Sequence, residues 1–183
     1  NQPQMFSQII ASQAGFSREP QSDLRQLSDL VTTVTPQVTQ ALGEGRAMGA
    51  YSLGQGFINS SSSTRFDELL QQLEKLHGEY GLKLQDALGA SKAAHAALEV
   101  SAQASQASLK QGSEFFEEQV VMAETLDAPW QGFYDGVSQL MAKTHQLDDA
   151  TLAFLGQQLQ QRLAQNRLHM VLLVTALATV FAL

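Results

Sequence analysis

The residues of this chain most suited to a binding site are Arg46, Thr144, Gly78 and Gly112. An arginine guanidinium can hold a carboxylate through two parallel hydrogen bonds. A threonine hydroxyl can add a further bond, and glycines leave space between helices because they have no side chain. These residue types suit the binding of a small anion, provided that helices bring them together.

The candidate site is a predicted layer at one height of a helical bundle. Counting 14 residues back from a turn near Ser60 reaches Arg46, and counting 14 residues on from a turn near Trp130 reaches Thr144. At ~1.5 Å per helical residue, both lie ~21 Å from the end that holds the turns, and the same descent reaches the two glycines. The ligand-binding residues predicted for this layer and its surroundings are Arg46, Gly49, His77, Tyr80, Lys110 and Thr144.

Each of these residues also has a plainer interpretation. Glycines on facing helices often serve only to let the backbones approach. Arg46 could lie on a solvated face, and a buried threonine can bond to a carbonyl of its own helix. A pocket at a dimer interface is a further alternative, and the sequence leaves these interpretations open.

The remaining polar residues indicate no catalytic or metal site. The four histidines are scattered, and His145 with Asp148 or Asp149 has helical ligand spacing but gives only two ligands. We find no nucleophile beside a base, no phosphate-binding loop and no paired catalytic carboxylates. Gly43-x-Gly45 lies in a predicted helix and does not follow a strand, so it is not a dinucleotide motif. The sequence therefore predicts a protein that is not an enzyme and has neither cofactor nor metal.

Four predicted helices carry these residues. Apolar residues recur at alternating steps of three and four, which is typical of packed bundles. Helices are expected at 23–59, at 65–88, from a cap at Ser91 to about 126, and from 130 onwards. The predicted inward residues are Leu24, Leu27, Val31, Val34, Val38, Ala41, Gly45, Met48 and Ser52; Phe66, Leu69, Leu73, Leu76, Tyr80 and Leu84; Leu98, Leu109, Phe116 and Val120; and Phe133, Val137, Leu140, Thr144, Leu147, Thr151 and Leu155.

Short turns between four helices predict an all-α, up-down-up-down four-helix bundle. Pro36 lies inside the first helix and predicts a kink there. The last helix should continue without a break into 168–183, a run whose only titratable residue is His169. A run without a polar face predicts the start of a transmembrane helix, truncated at the chain end; a buried core helix is the alternative. The expected divisions are 1–21, the end of a preceding helix or module; 22–167, the bundle; and 168–183, the membrane segment.

Composition limits the classes of partner. The chain has 183 residues, of which 44% are apolar, so a folded core is expected. Its 18 acidic and 11 basic residues give a net charge of −7, and no basic stripe for nucleic acid is visible. The chain has no cysteine, which permits an oxidising compartment.

The stretch 36–50, PQVTQALGEGRAMGA, resembles the periplasmic sensor regions of methyl-accepting chemotaxis proteins. Histidine kinases and diguanylate cyclases share this pattern of a proline, then leucine-glycine, arginine and glycine-alanine. The segment from Ala128-Pro129 through Phe133 to Thr144 and the run 159–167 are also similar to that family. The resemblance covers about residues 15–183. It departs at 24–27, where LRQL stands in place of the paired tyrosines of many relatives.

This resemblance implies a sensor region of an inner-membrane chemoreceptor, with the region itself in the periplasm. It implies a homodimer that binds a small molecule, such as a small organic acid or another anion, and transmits a helix displacement through the membrane. A binding protein in place of the small molecule is left open. The alternatives are the sensor of a histidine kinase or diguanylate cyclase, and a tail-anchored helical scaffold without a ligand.

Overall fold

The computed structural model describes residues 22–89 and 91–181, and this part of the chain is helical without any strand. The first helical stretch consists of α1 (Ser22–Asp29), a π-helical turn (Leu30–Val34) and α2 (Thr35–Gln55). It is followed by α3 (Ser60–Gly89), by α4 (Lys92–Phe116) with a second π-helical turn (Glu117–Val121), and by α5 (Trp130–Phe181). The prediction of an all-α chain with four helices is confirmed, while the predicted segment 1–21 lies outside the described residues.

Short polar residues set the helix ends. Gly56 follows α2 with a φ of 73°, a left-handed conformation that glycine adopts without steric cost, and its N–H donates to the Ser52 carbonyl. Asn59 Oδ1 accepts the Ser62 N–H, so α3 begins at Ser60, and the serines expected to form a turn are its first helical turn. Ser91 caps α4 as predicted, since its Oγ accepts the Ala94 N–H at 3.0 Å.

The apolar periodicity predicted most of the core. All six residues expected to face inward from α3 are buried, as are the four expected from α4 and the second π-turn. On α5, Phe133, Thr144 and Leu155 are buried, and Leu140 is only partly so. The helix predicted to extend to about 126 ends earlier, because the second π-turn stops at Val121 and 122–129 is not helical.

The backbone departs from α-helix just before Pro36, where a kink was predicted. Proline has no N–H and its ring crowds the preceding turn, so a regular α-helix would be disturbed there. The chain forms the π-turn Leu30–Val34 instead, in which the Thr35 N–H donates to the Leu30 carbonyl. The wider turn changes the register of the residues before it: Leu30 is buried in place of the predicted Val31.

Helix α5 packs against both α2 and α4, while α3 packs chiefly against α4. Contacts between α3 and α4 include Tyr80 with Ser105 and, nearer the other end, Phe66 with Phe116. Residue numbers therefore rise along one helix as they fall along the other. The order between the first stretch and α5 is also reversed, because Thr35 meets Asp148 and Arg46 meets Ser138.

Helix α5 is the longest element, with 52 residues from Trp130 to Phe181. The prediction that the last helix continues without a break is therefore confirmed up to Phe181, and the last two residues lie outside the described part. In 22–89 and 91–181, no helix is both long and apolar enough to cross a membrane.

Candidate functional site

A chain of three hydroxyl groups crosses the core from α3 through α4 to α5. The Tyr80 hydroxyl oxygen lies 2.7 Å from Ser105 Oγ, which in turn lies 2.8 Å from Thr144 Oγ1. All three side chains have no exposed surface. A buried tyrosine needs a partner for its hydroxyl, and the two small side chains give it one between closely packed helices.

A second buried polar contact joins the first helical stretch to α5. Thr35 Oγ1 lies 2.6 Å from Asp148 Oδ1 and also 3.2 Å from the Leu30 carbonyl oxygen. Thr35 is completely buried and Asp148 is half-buried. We refer to Thr35, Tyr80, Ser105, Thr144 and Asp148 as the polar cluster; each of the four helical stretches contributes to it.

Burial changes the proton affinity of two members of the polar cluster. It raises the pKa of Asp148 from its ordinary value to about 6, an effect that the Thr35 hydrogen bond and nearby His145 oppose and that Asp149 adds to. Burial also raises the pKa of Tyr80 well above its usual range; the bond to Ser105 opposes this and the charge of Asp148 adds to it. The Asp148 carboxyl therefore changes charge in mild acid.

Arg46 lies at a different contact, between α2 and α5. Its Nη1 donates to Ser138 Oγ at 2.9 Å, and its Cζ lies 4.4 Å from the centre of the Tyr134 ring. Ser138 Oγ in turn donates to the Tyr134 carbonyl. Stacking on the ring and the single hydroxyl contact hold the guanidinium in place at the half-exposed edge of two helices.

The predicted ligand-binding residues are divided among three places. Tyr80 and Thr144 belong to the polar cluster. Arg46 and Gly49 lie between α2 and α5, where Gly49 is buried directly against the Phe133 ring. The other two, His77 and Lys110, line a groove of about 500 Å³ between α3 and α4, in which Lys110 pairs with Glu114 at 3.5 Å.

The predicted layer is therefore not a single layer. Arg46 faces Ser138, and Thr144 is six residues farther along α5, or ~9 Å at ~1.5 Å per residue. The prediction misplaced the first turn. Because α2 ends at Gln55, Arg46 is nine residues from the helix end, whereas the count of 14 ran to Ser60, which already belongs to α3. Gly78 and Gly112 also lie in different surroundings.

Gly112 packs against Leu42 and Leu140, whereas Gly78 has open space where its side chain would be. The glycines therefore do not frame a common cavity. Gly112 allows close approach of two helices, which is the plainer interpretation stated above.

Sequence reasoning did not include Thr35, Ser105 and Asp148 in the candidate site. In the sequence, Asp148 was considered only as a possible metal ligand beside His145. Ser105 lies seven residues after Leu98 and four before Leu109, so its place in the apolar spacing could have revealed it as a buried polar residue. Thr35 has a similar signal, since it lies three residues before Val38 and seven before Leu42, which are both buried.

In the part of the chain that the structure describes, no three histidine, aspartate or glutamate side chains are grouped so that they could hold a metal ion. His145 acts on Asp148 only through its charge. Compared with protein-family models, with curated proteins and with solved structures, this chain matches none.

Proposed function

We propose that this chain is the extracytoplasmic sensor region of a bacterial transmembrane chemoreceptor, which binds a small molecule and passes a helix displacement across the membrane. The observation that carries the proposal is α5, one helix from Trp130 to Phe181. Its first part packs against α2 and α4, and its last part contains the apolar sequence that begins at Leu168. Such a helix can carry a small movement along its length.

The proposed architecture is an up-down-up-down four-helix bundle. The reversed order of contacts between α3 and α4, and between the first stretch and α5, supports it. Glu44 on α2 pairs with Arg65 near the start of α3, as expected for neighbouring helices joined by a short turn. In such a bundle α5 can shift against two partners at once.

The polar cluster is the proposed means by which α5 responds. Hydrogen bonds have preferred lengths and directions, so a small shift of α5 must rearrange the contacts of Thr144 with Ser105 and of Asp148 with Thr35. Such contacts can favour one of two helix positions, and a ligand that binds one position better would shift the population. Thr144 thus belongs to transmission in this proposal and does not touch the ligand.

The proposed ligand is a small anion, such as a carboxylate, that binds at Arg46. A guanidinium has five N–H donors, and the one contact to Ser138 leaves room for a two-bond grip on a carboxylate. Arg46 is half-buried, so this interaction would be less screened than one on an open surface.

The proposed assembly is a homodimer through α5. Trp130, Tyr134, Leu152 and Leu163 are 43%, 39%, 52% and 60% exposed. At 100° per residue they lie on one side of the helix. An apolar stripe of this kind suits packing against the same helix of a second copy. Sedimentation of the chain in detergent should reveal a dimer, and Leu152→Glu should weaken it; a strict monomer before substitution would contradict the assembly.

The ligand proposal is tested by thermal shift with small organic acids, amino acids and inorganic anions, followed by titration calorimetry. Arg46→Ala should weaken binding of the anion found by roughly 1.5–3 kcal/mol, at least tenfold. Arg25→Ala removes an exposed arginine from α1 and is the matched control, which should bind like the unaltered chain. If Arg46→Ala also binds like the unaltered chain, the anion does not bind at Arg46.

The membrane proposal is tested by flotation with phospholipid vesicles. The chain should float with the vesicles, and the same chain ending at Asn166 should stay in the aqueous fraction, because it lacks the apolar run. A full chain that remains monomeric in water without lipid or detergent would remove the main support for a receptor.

A further inference from the structure

Thr35 connects two parts of the molecule that are far apart in sequence. It is the first residue after the π-turn, and its N–H closes that turn by donating to the Leu30 carbonyl. Its hydroxyl oxygen lies 3.2 Å from the same carbonyl oxygen and 2.6 Å from Asp148 on α5. The side chain therefore joins the one irregular turn of the first stretch to the longest helix.

The number of protons in this contact decides which bonds can form. A threonine hydroxyl has one hydrogen to donate and can accept bonds from others. If Asp148 is protonated, its carboxyl can donate to Thr35 Oγ1 while Thr35 donates to the Leu30 carbonyl. If Asp148 is ionised, it can only accept, so the single hydrogen of Thr35 turns to the carboxylate and leaves the Leu30 carbonyl.

We propose that Thr35 and Asp148 form a proton-operated latch that ties the π-turn Leu30–Val34 to α5. In the closed state the proton on Asp148 lets both hydrogen bonds exist together, and the turn is fastened to α5. Loss of that proton to solvent leaves a charge in a half-buried position and removes the hydroxyl bond from the turn. The turn then keeps only the bond from the Thr35 N–H to the Leu30 carbonyl and can loosen, while the Thr35 hydroxyl stays bound to the Asp148 carboxylate.

The charged and titratable groups around Asp148 agree with a change near mildly acidic pH. His145 and Asp149 act on it from its own helix, with opposite effects, and Tyr80 faces it from α3. Thr35 faces Asp148 from the first stretch. On α4, Ser105 is hydrogen-bonded to Tyr80 and Thr144. Since burial raises the pKa of Asp148 to about 6, the latch is closed below this pH and open above it.

The latch needs only contacts within the four helices, so it goes beyond the proposed ligand site. Failure of the latch would leave anion binding at Arg46 untouched, and failure of anion binding would leave the latch in place. The chain would respond to acid through a group that no ligand has to contact.

Hydrogen–deuterium exchange of the full chain in detergent, measured from pH 4.5 to 8 with rates corrected for intrinsic exchange, tests the latch. Amides of 30–38 should exchange at least tenfold faster above pH 7 than below pH 5, with a midpoint near pH 6. Asp148→Asn should keep the slow exchange at every pH, because its amide can donate to Thr35 as the protonated acid does. Asp149→Asn, which removes the neighbouring exposed acid, is the matched control and should retain the response.

Two further variants separate the latch from simple burial of an acid. Thr35→Val keeps the shape but removes the hydroxyl, so exchange of the turn should be fast at all pH values, and Thr35→Ser should restore the response. His145→Gln should keep the response, which excludes the histidine as the titrating group. The proposal is overturned if Asp148→Asn responds to pH like the unaltered chain, or if Thr35→Val retains the slow exchange in acid.

Discussion

The two π-helical turns of the described chain, Leu30–Val34 and Glu117–Val121, have different neighbours. The first lies between α1 and α2 and leads directly to the polar cluster through Thr35. The second lies at the end of α4 and leads out of the helix at Met122, whose N–H donates to the Glu117 carbonyl. The residue before it, Phe116, is buried among aromatic rings.

This difference divides the molecule into a region held by apolar burial and a region held by hydrogen bonds. Around the second turn, Phe116 packs edge-on against Phe66 at 5.3 Å, and Phe115 stacks on Phe133 at 5.4 Å. Apolar packing does not depend on pH and tolerates small displacements poorly. The polar cluster beside the first turn includes an acid that can change charge. A change that depends on pH is therefore expected near the first turn, while the aromatic region should not respond to pH.

The largest effect is expected from Phe116→Ala in the aromatic region. Removing a buried phenylalanine should lower the free energy of unfolding by ~3–5 kcal/mol, because transfer energy is lost and a cavity remains. Chemical denaturation at pH 5 and pH 7.5 should give the same loss at both. A loss that differs strongly between the two pH values would contradict the division into two regions.

Gly49→Ala should have the next largest effect. A methyl group at Gly49 would overlap the Phe133 ring and touch Val120, so it should cost roughly 1–3 kcal/mol through strain. Gly78→Ala is the control in an open position on α3 and should stabilise the chain by up to ~1 kcal/mol, since alanine favours helix. Thermal melts of both variants check this; equal effects would show that Phe133 can move aside.

The pH dependence of stability should come from the polar cluster. The folded-state pKa of Asp148 is about 6, above its ordinary value, so the folded chain binds more protons than the unfolded chain between roughly pH 4 and 6. The free energy of unfolding should fall as pH rises through this interval.

Asp148→Asn should remove this fall and stabilise the chain at pH 7.5 by ~1–2 kcal/mol. This range is smaller than the full pKa shift would give, because solvent screens the partly exposed carboxyl. Denaturant titrations over pH 4.5–8 measure it. An asparagine variant no more stable than the unaltered chain at pH 7.5 would show that the acid is not destabilised by its surroundings.

The smallest effects are expected within the hydroxyl chain. Tyr80→Phe and Thr144→Val should each cost ~1 kcal/mol, the usual net value of a buried hydrogen bond. Because both hydroxyls bond to Ser105, the two losses should not be additive, and a double-mutant cycle should give a coupling of roughly 0.5 kcal/mol or more. Strict additivity would mean that Ser105 does not link them.

The residues of α3 and α4 show how far periodicity alone could predict the fold. Phe66, Leu73, Leu98 and Leu109 were assigned to the core from their spacing, and each is buried. Val31 was assigned in the same way and is only partly buried. The spacing rule assumes a regular α-helix, so it failed where the π-turn added a residue to the turn.

The candidate site was less predictable than the core because its residues depend on helix ends and pairing. Thr144 was recognised as a polar residue at an inward position, but its partner Ser105 was not identified. Arg46 was placed level with Thr144 because the first turn was expected about four residues too late. An error of a few residues in one turn moves a side chain by more than the length of a hydrogen bond.

The helical content of the chain, its four helices and most of its buried apolar faces follow from the sequence, because they depend on local spacing and on composition. Which polar side chains meet depends on how the helices pack. Thr35 reaches Asp148 because α2 and α5 pack side by side in the register that also brings Arg46 to Ser138. Contacts of this kind depend on register between distant segments, and hydrogen bonds act only over about 3 Å, so no local pattern in the sequence could specify them.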